Sequence, residues 1–236
     1  MTVNDMGFDT APKGSFTPIE PGTYDFVIHG IVGLGLRKPF FDVDDNGKKV
    51  LPKVAVKIIF ELPSNVRDDG QTEVTAMSCN MSTHGKSQLF KVFHACLGDA
   101  VIASYDKNGT PIMDIERVSA TGLKVLLGSV GALTIVNKKS EKGQIYARVS
   151  AVNYLDPRLP RPVATREQFF FSPFQPDLEV FKNNLSYWTQ KDVMSSLNAD
   201  TFPKELHDAW VKIEEDRASA DANKNDSQSD DTSSIE

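Results

Sequence analysis

The segment Asn80-Met-Ser-Thr-His-Gly85-Lys86-Ser87 ends like a phosphate-binding loop. Such a loop reads GxxxxGK[ST], and its first glycine lets the chain turn tightly around a phosphate. Here that position is Asn80, and the alternating β/α units that normally surround the loop are missing from the pattern of the chain. The segment therefore reads as a strand-to-helix turn, with Ser87 or Thr83 as the helix cap. Gly33-Leu-Gly35-Leu-Arg-Lys38 opens like a dinucleotide fingerprint but lacks the third glycine and the helix that should follow. His29, His84, His94 and His207 have no metal-ligand spacing. The pairs Asp44/Asp45 and Asp68/Asp69 fall in turns, where Asp is favoured for backbone reasons. No set of nucleophile, base and orienting group can be assembled, so neither catalysis nor a cofactor or metal is expected.

The remaining candidates are basic and aromatic. Arg37, Lys38, Phe40, Phe41, Lys48, Lys49 and Lys53 fall in or beside one long polar loop, and Lys138, Lys139 and Lys142 in a later one. Lys57 and Arg148 lie within strand patterns and would point outward from them. Binding a single-stranded nucleic acid needs a positive groove for the phosphates and flat rings for the bases, with stacking contributing ~1–3 kcal/mol per base. Phe40 and Phe41 either supply those rings or plug the end of a small barrel.

The elements that must position these residues follow from periodicity. Thr23 to Arg37 alternates as a long strand, with Gly30, Gly33 and Gly35 at points where it would bend or bulge. Strands are expected at Val54–Leu62 and from Thr72 to about Met81. The period then changes: Leu89, Phe90, Phe93 and Leu97 mark a helix over Ser87–Leu97, with Gly98 as its stop. A short helix or turn is read within Asp114–Gly128, and two more strands at Ala132–Lys138 and Ile145–Tyr154. Three strands, a helix and two strands is the order of the five-stranded oligonucleotide-binding barrel, the OB-fold, in which the ligand crosses strands two and three between two flanking loops. The expectation is thus a mainly β chain: a lead-in over 1–18, an OB-fold domain over 19–156, an aromatic-rich, partly helical extension over 157–217, and a disordered acidic tail over 218–236. The extension packs either on the barrel or on another copy of the chain, which leaves a homo-oligomer open.

Charge supports this division. The whole chain of 236 residues has a net charge of −6, yet residues 218–236 hold five acids and one lysine. A low overall charge therefore does not exclude a polyanion partner for the body. Two cysteines, Cys79 and Cys96, are too few for a disulfide framework and read as reduced and buried. No signal-peptide pattern or membrane-spanning run is present in the sequence, so a soluble protein of the cytoplasm is expected.

Pro21-Gly-Thr-Tyr24, Phe60-Glu-Leu-Pro63, Ser82-Thr-His-Gly-Lys-Ser87, Leu126-Leu-Gly128, Gly143-Gln-Ile-Tyr-Ala-Arg-Val-Ser150 and the aromatic run from Phe169 to Trp188 together resemble a family of small bacteriophage proteins. That family is regarded as single-stranded-DNA-binding, of OB-fold type, and is encoded among replication and recombination genes. The resemblance covers about residues 20–190 and rests on packing and turn residues. It implies a non-catalytic protein of the infected host cell's cytoplasm that coats single-stranded DNA and recruits phage or host replication and recombination proteins through its acidic tail. Two departures bear on this: relatives often carry an acid where this chain has Gly85, and many tails of this type end in an aromatic, whereas this one ends Ser234-Ile235-Glu236. The tail then reads first as an electrostatic competitor for the basic groove. The alternative is an OB-like protein-interaction module that docks on a phage or host partner through its aromatic extension.

Overall fold

The computed structural model describes residues 18–39, 49–140, 143–156 and 158–226. In chain order its elements are β1 (Gly22–Arg37), β2 (Lys53–Val66), β3 (Thr72–Asn80) and α1 (Gln88–Leu97), then the short hairpin β4 (Ile102–Tyr105) and β5 (Pro111–Met113). They continue with α2 (Ala120–Lys124), β6 (Val130–Lys139), β7 (Ile145–Asn153), β8 (Phe169–Phe171), α3 (Leu178–Asn183), α4 (Tyr187–Met194) and α5 (Lys204–Asp226). Among the described residues, no helix is long and apolar enough to cross a membrane.

The long β1 is shared by three neighbours. Its first part pairs antiparallel with β6, from Gly22 opposite Ile135 to Val27 opposite Val130. On its other edge β2 runs antiparallel from Val27–Glu61 to Arg37–Lys53, with register shifts at Ile28/Gly30 and Gly33/Gly35. β3 extends the sheet beyond β2 and β7 beyond β6, giving the order β3-β2-β1-β6-β7. The expectation of a mainly β chain holds. The sheet is mainly antiparallel and open: β3 and β7 end the path without a ladder between them, and α1 packs against both. A sixth strand, β8, lies parallel to β1, with Phe169 opposite Gly30 and Phe171 opposite Val32.

Two apolar cores result from the period-two alternation of the strands. Phe26, Ile28, Ile58, Phe60, Leu133 and Ile135 turn one face of the sheet toward Leu89, Val92 and Phe93 of α1. That helix starts where the Ser87 hydroxyl accepts the Phe90 N–H at 3.0 Å and stops at Gly98, whose φ of 65° favours glycine. The opposite face of β1 and β2, with Val32, Leu34, Ala55 and Ile59, is covered by Phe169, Phe171, Phe181, Leu185, Val193, Phe202 and Leu206. The aromatic stretch thus packs on the chain's own sheet.

The glycines of β1 are the seat of this covering segment as well as bends. A Cβ on Gly30 would stand 2.5 Å from Cζ of Phe169, so only a glycine lets that ring lie on the strand. The tail expectation also changes. Residues 218–226 belong to α5 and are helical, because Ala218, Ala220 and Ala222 favour helix and no glycine or proline interrupts. Residues 227–236 lie outside the described part.

Candidate nucleic-acid interface

A buried polar knot positions the strap that leads into β8. Glu61, fully buried on β2, accepts the Thr72 hydroxyl at 2.9 Å, the Thr165 N–H at 3.0 Å, the Thr165 hydroxyl and, more weakly, the Arg166 N–H at 3.4 Å. Burial pushes this carboxyl upward, but the hydrogen bonds from Thr165, Thr72 and Arg166 outweigh it and hold its pKa below the ordinary value. Arg166 in turn donates to the Thr72 carbonyl at 2.7 Å and to the Gln71 side chain at 3.0 Å. His29, at the first register shift of β1, donates from Nδ1 to the Glu167 carbonyl at 2.9 Å, and its ring meets Phe169 edge-on. Burial, the largest influence, lowers its pKa against the Glu167 hydrogen bond, which raises it. The knot is structural: it fastens residues 165–171 across β1, β2 and β3.

The basic residues singled out in the sequence divide into groups. Arg37 and Lys57 are engaged by α4. The Arg37 guanidinium donates to the Asp192 carbonyl and, at 2.9 Å, to the Ser195 hydroxyl. The Lys57 ammonium pairs with the Asp192 carboxylate at 2.6 Å and reaches Thr189 at 3.2 Å. Lys57 does alternate onto the outer face of β2, but that face carries the extension. Lys38, Lys49 and Lys53 are exposed at the β1–β2 end of the sheet. Phe40, Phe41, Lys48 and Lys142 lie outside the described residues.

The third group lies on the β6–β7 hairpin. Lys138 stands directly opposite Tyr146, and Val136 opposite Arg148. With side chains alternating along each strand, these four share the face away from the buried Ile135 and Val149. Lys138 and Arg148 are exposed, and Tyr146 is 43% exposed between them. Lys139, opposite Ile145, belongs to the other face at the hairpin's exposed tip. A half-exposed ring flanked by two cations can stack a base and hold the adjoining phosphates. Sequence reasoning passed over Tyr146, although its signal was present: an aromatic two residues before Arg148 and across a turn from Lys138. The hairpin and the Lys38–Lys53 group sit at opposite ends of β1. That strand of 16 residues has a contour of about 50 Å at ~3.3 Å per residue.

In the segment that mimicked a phosphate loop, the amides of Gly85, Lys86 and Ser87 are already engaged. The Gly85 N–H is donated to the Pro111 carbonyl and the Ser87 N–H to the His84 carbonyl, both at 2.8 Å, while the Lys86 N–H is donated to His84 Nδ1 at 3.2 Å. Among the described residues, no group of three His, Cys, Asp or Glu could hold a metal ion. No protein-family model matches the chain, and no curated protein matches it.

Proposed function

We propose that this chain binds single-stranded DNA without catalysis, as the resemblance to phage single-strand binders implies, and serves replication or recombination in the cytoplasm of an infected cell. The observation that carries the reading is the outer face of the β6–β7 hairpin, where Tyr146 lies between Lys138 and Arg148. The strand order β3-β2-β1-β6-β7, with α1 between the third and fourth strands of that sheet, is the connectivity of an OB barrel and supports that finer description of the fold. The outer surface of β1 and β2 is filled by the extension, so the strand of DNA runs over the hairpin and the exposed lysines at the β1–β2 end. Acidic residues beyond Arg217 compete with DNA for these cations. One observation favours the second reading, a protein-interaction module: the outer sheet face that an OB-fold would give to a ligand holds the chain's own aromatic segment.

Anisotropy of a labelled oligo-dT across a salt series tests the proposal. Each phosphate contact on a single strand adds about 0.7 to the slope of log K against log salt, so replacing Lys138, Lys139 and Arg148 by Ala lowers that slope by about 2. Tyr146→Ala weakens binding by ~1–3 kcal/mol and leaves the slope unchanged. Affinity that does not fall with salt refutes the reading, as does a hairpin variant that binds like the parent. Binding of a partner protein with no affinity for oligo-dT selects the interaction module.

A further inference from the structure

Trp188 is 54% exposed on α4 although two other aromatic residues beside it are used for packing. Tyr187 stacks on Trp210 of α5 with centroids 5.6 Å apart, and its hydroxyl donates to Glu214 at 2.7 Å. The Arg217 guanidinium lies 3.8 Å over the Tyr187 ring. These contacts fasten α5 to α4 without Trp188, whose own aromatic contact is an edge-on approach to Tyr187 at 5.2 Å. The Lys191 ammonium lies over its ring at 5.6 Å and the Arg217 guanidinium at 5.9 Å, both loose cation–π distances from the centroid. A single exposed apolar side chain is ordinary. An exposed indole held by a neighbouring ring and flanked by two exposed cations is the arrangement that stacks a base and neutralises its phosphates.

Continuity with the basic end of the sheet adds a second argument. Residues 188, 191 and 192 of α4 and its C-cap Ser195 lie on one stripe, three and four apart. The far end of that stripe is bolted to β1: Arg37 donates to Ser195 and to the Asp192 carbonyl, and the Leu197 N–H reaches the Leu36 carbonyl at 2.8 Å. The next residue along from Arg37 is the exposed Lys38. Asp192, on the stripe itself, is answered by Lys57, and the Glu214 carboxylate accepts the Tyr187 hydroxyl.

We infer that Trp188, with Lys191 and Arg217, is a base-stacking platform for single-stranded DNA that continues the binding path from the Lys38–Lys53 end of the sheet onto α4. The inference rests on the single-strand reading above. An unpaired base is required, because an indole presented on a helix cannot reach the face of a base inside a duplex.

The test uses the full chain and oligo-dT. Saturation with the oligonucleotide quenches tryptophan emission and protects the parent protein from acrylamide, a neutral quencher, with no variant needed. Trp188→Phe abolishes most of the quench and binds within about 3-fold of the parent, since a phenyl ring still stacks. Trp188→Ala weakens binding about 5- to 150-fold, the range that base–aromatic stacking supplies. Lys191→Gln lowers the salt slope by about 0.7. If the parent binds oligo-dT and the hairpin variant weakens it, while Trp188→Ala binds as the parent does and acrylamide access is unchanged, the platform is refuted and the single-strand reading stands. A parent that fails to bind oligo-dT overturns both. A Trp188→Ala variant that alters self-association in sedimentation without altering oligo-dT affinity assigns the surface to a second copy of the chain, and that too overturns the proposal.

Discussion

Glu61→Gln isolates the knot that ties the extension to the sheet. The substitution keeps shape and removes charge. It also replaces one carboxylate oxygen by an NH2 group that faces N–H donors, because Thr165 and Arg166 both present backbone amides to Glu61. A hydrogen bond to a charged group contributes ~1.5–3 kcal/mol, and a buried donor left without an acceptor costs ~1–3 kcal/mol. With the amide oxygen retaining the Thr72 and Thr165 hydroxyls, the expected loss is about 2–4 kcal/mol. For a chain of this size that lowers Tm by about 4–16 °C.

The same carboxyl gives the effect a pH signature. Its pKa is lower in the folded chain than the ordinary 4.5, so its contribution is complete above the unfolded value and is lost as pH falls through the folded value. The gap between parent and Glu61→Gln is thus full at pH 7, shrinks below about pH 4.5 and closes in stronger acid. Urea denaturation at pH 7 and at steps below pH 5, read as the shift in midpoint at constant m, measures both. A Glu61→Gln midpoint that corresponds to less than ~0.5 kcal/mol at pH 7, or a gap that does not change on acidification, would refute the role given to the knot.

Two further outcomes are expected. Gly30→Ala places a methyl 2.5 Å from Phe169 Cζ and destabilises the chain by ~1–3 kcal/mol in the same urea assay, with part of the loss recovered when Phe169→Leu is added; equal losses with and without the second change contradict the packing of β8 on β1. Cys79 is buried, whereas Cys96, expected to be buried too, is half-buried; desolvation pushes both thiols up to about 12, so Cys79 does not react readily with a disulfide reagent at pH 8 until urea unfolds the chain and Cys96 reacts first, and rapid labelling of Cys79 in the native protein contradicts its burial.

The elements with sustained periodicity were legible. Alternation in β1, β2, β3, β6 and β7, and the helical spacing of Leu89, Phe90 and Phe93 with Ser87 before it, carry their own assignment. The β4–β5 hairpin was not, because strands of four and three residues are too short to set a period. β8 is three phenylalanines whose strand character comes from the bare edge of β1 beside Gly30–Val32, far away in sequence. The same limit explains the division of the candidate site. Alternation placed Lys57 on the outer face of β2 but carries no information about what covers that face, and Asp192, which engages both Lys57 and Arg37, arrives from a separate helix. Lys138 and Arg148 do share one exposed face, because the strands of a hairpin are close in sequence and alternation alone sets their side chains.

The dependence of β1 on β8 gives the molecule a history on the ribosome. The row Val32, Leu34, Ala55 and Ile59 can fold into its sheet early, yet the residues that cover it end at Leu206 and Ala209. After Leu62 has been made, some ~140 further residues must follow, about 7–30 s at ~5–20 residues per second. Throughout that interval an apolar face and an unpaired strand edge at Gly30–Val32 stay open to water and to other chains. Synthesis of this protein therefore passes through a state that a holdase chaperone would recognise, and completion of the cover at Leu206 and Ala209 is the moment at which that vulnerability ends.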